Sequence, residues 1–287
     1  MISISLVTFA LYLAAAQVPA TADPLAMDEI DKMFAAWDKV NTLTMRQIKT
    51  ERMVNGKTIT EEVAVKVRRS GEVYLANINP KKGQEALYLP KRDKTEITAH
   101  PGSFPDITVH ISLWGGLATR NQHHLLSHAG FGYLLKQIRD GIAQARSNPT
   151  GEKLEWQGEV LQAGRAGYRL VLISGTLPAE EVEAQKSESV VAFGERLNRD
   201  PYLIVYTNPE LLDSLSSSVS AGTVYKVPQY YGGKTEIIID KETHMPLKVT
   251  IWDFEGRVYE KFENHEIRLN PPLTDKDFDP DNDAYHF

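Results

Sequence analysis

The spacing of apolar side chains changes period several times along the chain, and each change marks an element. Ile30, Phe34 and Trp37 recur at helical spacing, with Asp28 placed to cap that helix. From Leu43 the period falls to two. Leu43 to Val54 runs into Asn55-Gly56, the dipeptide of a tight hairpin. Ile59, Val63, Val65 and Val67 then share one face, with Thr60, Glu62, Lys66 and Arg68 on the other. Turns at Ser70-Gly71 and Lys81-Lys82-Gly83 lead into Val73 to Ile78 and Glu85 to Leu89. Thr95 to Ala99 follows, and Ile107, Val109, Ile111 and Leu113 alternate with polar or aromatic neighbours. This reads as an antiparallel meander with one wet face.

A long helical stripe appears only at Phe131, Leu134, Leu135, Ile138 and Ile142, with Ser127 as its N-cap and Asn148-Pro149 and Gly151 as its stop. Strands return at Leu154 to Leu161 and Tyr168 to Ser174. Residues 176–229 change character, with an acidic stretch, two helical stretches and a Ser-rich loop. After Tyr230-Tyr231 the two-residue period resumes through Ile237 to Ile239, Leu247 to Ile251, Val258 to Phe262 and Ile267 to Leu269. A sheet this long must curl or split to bury its apolar face. Curled and covered by an amphipathic helix, it makes a half-barrel whose interior stays open wherever the helix does not fill it.

The head of the chain follows a different rule. Residues 1–22 carry no charged side chain, Ile2 to Ala16 is almost wholly apolar or small, and Ala20-Thr21-Ala22 follows. This is the layout of a signal peptide with an A-x-A cut, a second possible cut lying at Ala14-Ala15-Ala16. The run is short of the ~20 residues that span a bilayer, so no transmembrane anchor is expected after cleavage, and the product is read as exported and periplasmic. The 287 residues include no cysteine, which removes disulfides, thiolate metal sites and lipidation at a cysteine. A net charge of −6 speaks against nucleic acid as a partner.

Several motifs fall in an order that resembles a known superfamily. Ile239-Asp240-Lys241-Glu242-Thr243 with Met245-Pro246 is similar to the D-x-x-T-x-x-P hairpin of the LolA/LolB-type lipoprotein carriers, and Trp252-Asp253-Phe254-Glu255-Gly256 and Asp277-Phe278-Asp279-Pro280 fit the same pattern. Pro80-Lys81-Lys82-Gly83, His100-Pro101-Gly102 and the ending Phe278 to Phe287 resemble more closely a bacterial domain-of-unknown-function family within that superfamily. The resemblance implies an unclosed β-barrel with helices over its mouth and an apolar interior that takes acyl chains. Within 176–229, Ser187-Glu188-Ser189-Val190-Val191-Ala192-Phe193-Gly194 is similar to the opening of a LysM module. Asn208-Pro209 and Gly222 to Pro228 match its Asn and closing strand. That second resemblance implies a small βααβ unit that binds N-acetylglucosamine polymers such as peptidoglycan. Ser187 stands where such modules carry a glycine, which puts sugar binding in doubt.

The expected fold is therefore α+β: a curled antiparallel sheet, an unclosed half-barrel, covered by helices and carrying a small βααβ insertion. The signal peptide takes residues 1–22, the half-barrel 23–175 and 230–287, and the insertion 176–229. The expected function is non-catalytic binding of lipid or lipoprotein acyl chains in the cell envelope. Met33, Phe34, Trp37, Trp114, Leu117, Phe131, Leu134, Leu135 and Ile138 are the candidate cavity and lid residues. The alternative is attachment to peptidoglycan through Ser187, Glu188, Ser189, Val190, Asn208 and Pro209, with the barrel as scaffold.

Catalytic and metal chemistry find weaker footing. His124 and His128 are four apart, a zinc-like spacing on a helix, but a helix starting at Ser127 leaves His124 outside it, and H-E-x-x-H is absent. They read as loop and cap histidines, so neither metal nor cofactor is expected. Glu61-Glu62 and Glu180-Glu181 read as solvated charge on polar faces. The alternating aspartates from Asp275 to Asp283 place Pro280 where a calcium loop needs glycine, and read as a solvated terminal segment.

Overall fold

Two-residue periodicity becomes one very wide sheet in the computed structural model, which describes residues 20–175, 179–212 and 214–287. The first elements are β1 (Thr21–Ala22), α1 (Pro24–Trp37), β2 (Thr42–Arg52), β3 (Thr58–Arg68), β4 (Val73–Asn79), β5 (Glu85–Tyr88), β6 (Glu96–His100) and β7 (Val109–Ser112). Next come the short α2 (Gly116–Thr119), a 3-10 turn at Leu126–His128, α3 (Gly132–Ser147), β8 (Lys153–Gln162) and β9 (Arg165–Ile173). A small unit contains β10 (Ala179–Glu183), β11 (Glu188–Ser189), α4 (Val190–Leu197), α5 (Pro201–Thr207), β12 (Ser218–Val219) and β13 (Val224–Pro228). The chain returns through β14 (Lys234–Asp240), β15 (Pro246–Trp252) and β16 (Val258–Leu269).

Twelve strands form one open sheet in the order β1-β8-β9-β14-β15-β16-β2-β3-β4-β5-β6-β7. Every ladder is antiparallel except β1 on β8. The architecture is the expected unclosed half-barrel of an α+β fold. α3 carries the chain from the β7 edge across to β8, and β16 closes the middle by pairing with β2. β9 and β14 are hairpin neighbours, Ile173 opposite Lys234, and the 179–228 segment occupies the connection between them. There β10 pairs with β13, Glu183 opposite Val224, with α4 and α5 between them in sequence.

The inner face buries Leu43, Met45, Val63, Val65, Ile237, Val249 and Ile251 against Ile30 and Met33 of α1 and Leu135 and Ile138 of α3. Each such side chain contributes about 1.5–3 kcal/mol on burial. The outer face of β4 and β5 is covered by the tail. Phe278 packs on Tyr74 and Leu87, and Tyr285 stacks on Tyr74 at 4.0 Å. The terminal segment is thus anchored through its aromatics and through Asp277, which pairs with Lys66 at 2.9 Å, while its other aspartates stay exposed.

Local chemistry corrects several boundaries. Asp23, not Asp28, caps α1: its side chain accepts from the Leu25 N–H, and Pro24 takes the first helical position. Asp28 sits inside the helix and pairs with Lys32. α3 begins at Gly132 and not at Ser127, because Gly130 takes φ +87° where the chain presses on Val67 and Leu43. The last two strand signals are one strand, β16, whose register shifts between His265 and Arg268 with Glu266 in a left-handed conformation. The D-x-x-T hairpin is a clasp around a buried carboxylate. Asp240 accepts two hydrogen bonds from Arg165 and two from the Thr243 N–H and hydroxyl.

Candidate functional site

Polar residues interrupt the inner face at one end. Along β2 and just beyond its end the inward positions run Leu43, Met45, Gln47, Lys49, Glu51 and then Met53, so three polar side chains stand among apolar ones. Register completes the patch. Lys49 faces Glu61 on β3, Gln47 faces Asn264 on β16, and Glu51 faces Glu260. Next to the patch, two cavities flank α3. The first, of about 200 Å³, lies between α3 and β2–β7, with Val63, Val65, Ile97, Ile111 and Phe131 as its apolar wall and Lys49, Glu51, Glu61 and His124 as its polar end. The second, of about 240 Å³, lies on the β8–β9 side, against Ile138, Ile142, Leu154, Leu172 and Ile251. Leu134 and Tyr231 line both.

Glu61 is buried, which overturns its reading as solvated charge. It pairs with Lys49 at 3.0 Å and Lys81 at 3.1 Å and accepts from Gln122 at 2.9 Å. Burial opposes ionisation, yet Lys49, Gln122 and Lys81 outweigh it and hold the carboxyl near 2. Gln122 belongs to the segment between α2 and α3, so this pair ties the lid to the barrel wall.

A second tie is deeper. Tyr259 is the extra residue of a β-bulge, since Ile251 faces Glu260 while Trp252 faces Val258, and both Tyr259 and Glu260 are fully buried. Glu260 accepts from His123 Nδ1 at 2.5 Å, His124 Nε2 at 3.0 Å and the Tyr231 hydroxyl at 2.6 Å. His123 Nε2 meets the Arg52 carbonyl at 3.0 Å, and its ring lies between those of Tyr202 and Tyr259. Burial alone would raise the Glu260 carboxyl, but His124 and His123 hold it well below the usual range. Burial likewise opposes charge on His124, and Glu260 overrides it, lifting the imidazole to about 9. Close by, His128 stacks on Tyr133 at 3.8 Å and is pushed down to about 3 by burial and the His124 charge. Tyr133 donates to Asp200, the N-cap of α5, at 2.6 Å, which links α3 to the small unit. The histidines are therefore not loop decoration. Residues of β2, β16, α3 and α5 converge on them.

The family described as "Protein of unknown function (DUF1571)" matches residues 40–209 and 195–287. The chain belongs to the DUF1571 family. A search of curated proteins finds no match. Among solved structures, this DUF1571 chain is similar to lipoprotein LppX of Mycobacterium tuberculosis, at 11% identity over 88% of this chain and 98% of that one, with a TM-score of 0.41. It is similar to a LolA superfamily protein of Nitrosomonas europaea, at 10% identity over 88% and 97%, TM-score 0.32. It is also similar to a chain of the MucA/MucB complex of Pseudomonas aeruginosa, at 16% identity over 88% and 60%, TM-score 0.42.

The sequence-derived candidates divide in this DUF1571 structure. Phe131 and Leu134 line the first cavity, Leu134 and Ile138 the second, and Leu117 stands largely exposed at the rim of the first. Met33 and Leu135 are packed core. Phe34 lies under the Arg139 guanidinium, Trp37 meets Phe131 edge-on at 6.0 Å, and Trp114 packs against the core; none of these three lines either of the two cavities. In the small unit, Ser189 caps α4, Glu188 pairs with Arg196 and Lys186, and Val190 is fully buried. Asn208 is buried with its amide clasping the Lys226 backbone, while Ser187 and Pro209 are exposed. Sequence reasoning missed His123, Glu260, Glu51, Tyr231 and Asp200 as a group. The one local signal was the density of histidines between 100 and 128.

Proposed function

We propose that this protein is a non-catalytic carrier of the bacterial cell envelope, holding acyl chains of a lipid or lipoprotein between the sheet and α3. The observation that carries this reading is the pair of apolar cavities flanking α3 and sharing Leu134 and Tyr231. A buried methylene contributes ~0.8 kcal/mol, so four enclosed methylenes already supply about 3 kcal/mol. Export fits the uncharged apolar head of the sequence, and no helix among the described residues is long and apolar enough to cross a membrane.

Native mass spectrometry of protein purified from its host, with displacement of a fluorescent fatty acid, tests the reading. Bound lipid and saturable displacement are expected. Leu134→Trp, which enlarges a side chain lining both cavities, should exclude two or three methylenes and weaken binding by about 2 kcal/mol, roughly 30-fold. Absence of lipid together with no displacement, or unchanged affinity in Leu134→Trp, refutes it.

A further inference from the structure

The polar end of the first cavity contains more than the two ties described above. Glu51 and Glu260 face each other across the β2–β16 ladder, both almost wholly inaccessible to solvent. The segment before α3 lays His124 over them. Among the described residues, Glu51, His124 and Glu260 each bring one donor atom to within 4.8 Å of the other two. Two atoms of this group, Glu51 Oε1 and His124 Nδ1, are buried without a hydrogen-bond partner. Glu51 reaches Lys49 only through its other oxygen, at 3.4 Å. A buried polar atom left unmet costs about 1–3 kcal/mol, and two in one cluster point to a missing bound species.

We propose that Glu51, His124 and Glu260 form a binding site for a divalent transition-metal ion of the zinc class. Two carboxylates and an imidazole are a donor set for such ions. The supporting shell is in place: His123 and Tyr231 fix Glu260 by hydrogen bonds at 2.5 and 2.6 Å. His128, four residues on, lies beside His124 at the edge of this group. Its ring centroid is 6.1 Å from that of His124, and its Nδ1 is also buried without a partner. An ion has a route in, because Glu51, His124 and His128 all line the first cavity. The expectation that the His124/His128 pair is metal-free rested on the helix start and the absence of H-E-x-x-H; the acids proposed here come instead from strands far away in sequence, β2 and β16. The bound ion would join the lid segment to β2 and β16. The proposal stands apart from acyl binding.

The test uses tag-free full chain stripped with a chelator and returned to metal-free buffer. Titration with Co2+, followed by its visible absorption, and with Zn2+, followed by thermal unfolding, should show one equivalent bound and a rise of several degrees in Tm. Glu51→Gln keeps the side-chain shape and the fold, so its metal-free form should retain a cooperative thermal transition. It should lose metal affinity by at least about 100-fold, and His128→Asn should weaken it by less. No stoichiometric binding to the parent chain, or equal affinity in a folded Glu51→Gln variant, overturns the proposal.

Discussion

Glu61→Gln is the most informative single change, because one residue carries both a pH signature and a contact with the lid. In the folded chain Glu61 is 4% exposed and meets Lys49, Lys81 and Gln122. Its carboxyl is displaced from 4.5 to about 2, despite burial, by those partners. That displacement corresponds to about 3 kcal/mol. Lys81 is half exposed, so its share is screened and about 2 kcal/mol is the working value. The sign follows from the depressed folded value: this stability is present in full above about 4.5 and disappears as the pH falls through about 2. Urea unfolding of parent and Glu61→Gln at pH 7 should differ by about 2 kcal/mol with little change in slope. The gap should close steadily below pH 4.5 and be nearly gone at about 2. Hydrogen exchange around Gln122 should quicken in the variant, because the lid segment loses an anchor on β3. A difference of the same size at pH 7 and pH 2.5, or no difference at pH 7, would refute the reasoning.

Three further outcomes follow. Glu260→Gln, measured at pH 7 with chelator present, should cost about 3–5 kcal/mol, because His123 and His124 keep their places without the carboxylate between them; a loss under 1 kcal/mol in urea unfolding would contradict the pairing. Asp240→Asn should cost about 2 kcal/mol, since the buried carboxylate accepts two hydrogen bonds from Arg165 and two from Thr243, and calorimetry would register the loss as a lower Tm. A chain beginning at Asp23 lacks β1, its Thr21-to-Glu152 hydrogen bond and the Ala20–Ala22 wall of the second cavity. Compared with a chain beginning at Gln17, it should be about 1 kcal/mol less stable and release a bound fluorescent fatty acid faster. Equal release rates would show that β1 does not wall that cavity.

Alternation and turn chemistry made most of the fold legible. Asn55-Gly56, Ser70-Gly71 and the Asp253–Gly256 turn punctuate the strands where β2 to β4 and β15 to β16 actually turn. Helix ends were less legible because they depend on distant contacts. Before α3 the chain passes through an extended Ala129 and a left-handed Gly130, where a side chain would press on Val67 and Leu43. Of the candidate site, the α3 stripe was readable, and Leu134 and Ile138 do face the cavities. Yet Leu135, from the same stripe, is core. Periodicity reports which side of a helix is apolar, not whether the opposite surface has closed on it.

The sequence by itself determined that this chain builds one wide antiparallel sheet with an amphipathic helix to cover it, because side-chain period and turn residues act over a few positions. Only the tertiary structure decided what lies beneath that helix. Register set Glu51 against Glu260 and Lys49 against Glu61, a bulge at Tyr259 turned Glu260 inward, and the lid segment laid His123 and His124 on top. Glu51 and Glu260 are separated by more than 200 residues, and no local pattern encodes a ladder partner at that distance. A carboxylate that would be solvated charge on an isolated strand becomes, through that pairing, the buried centre of the site.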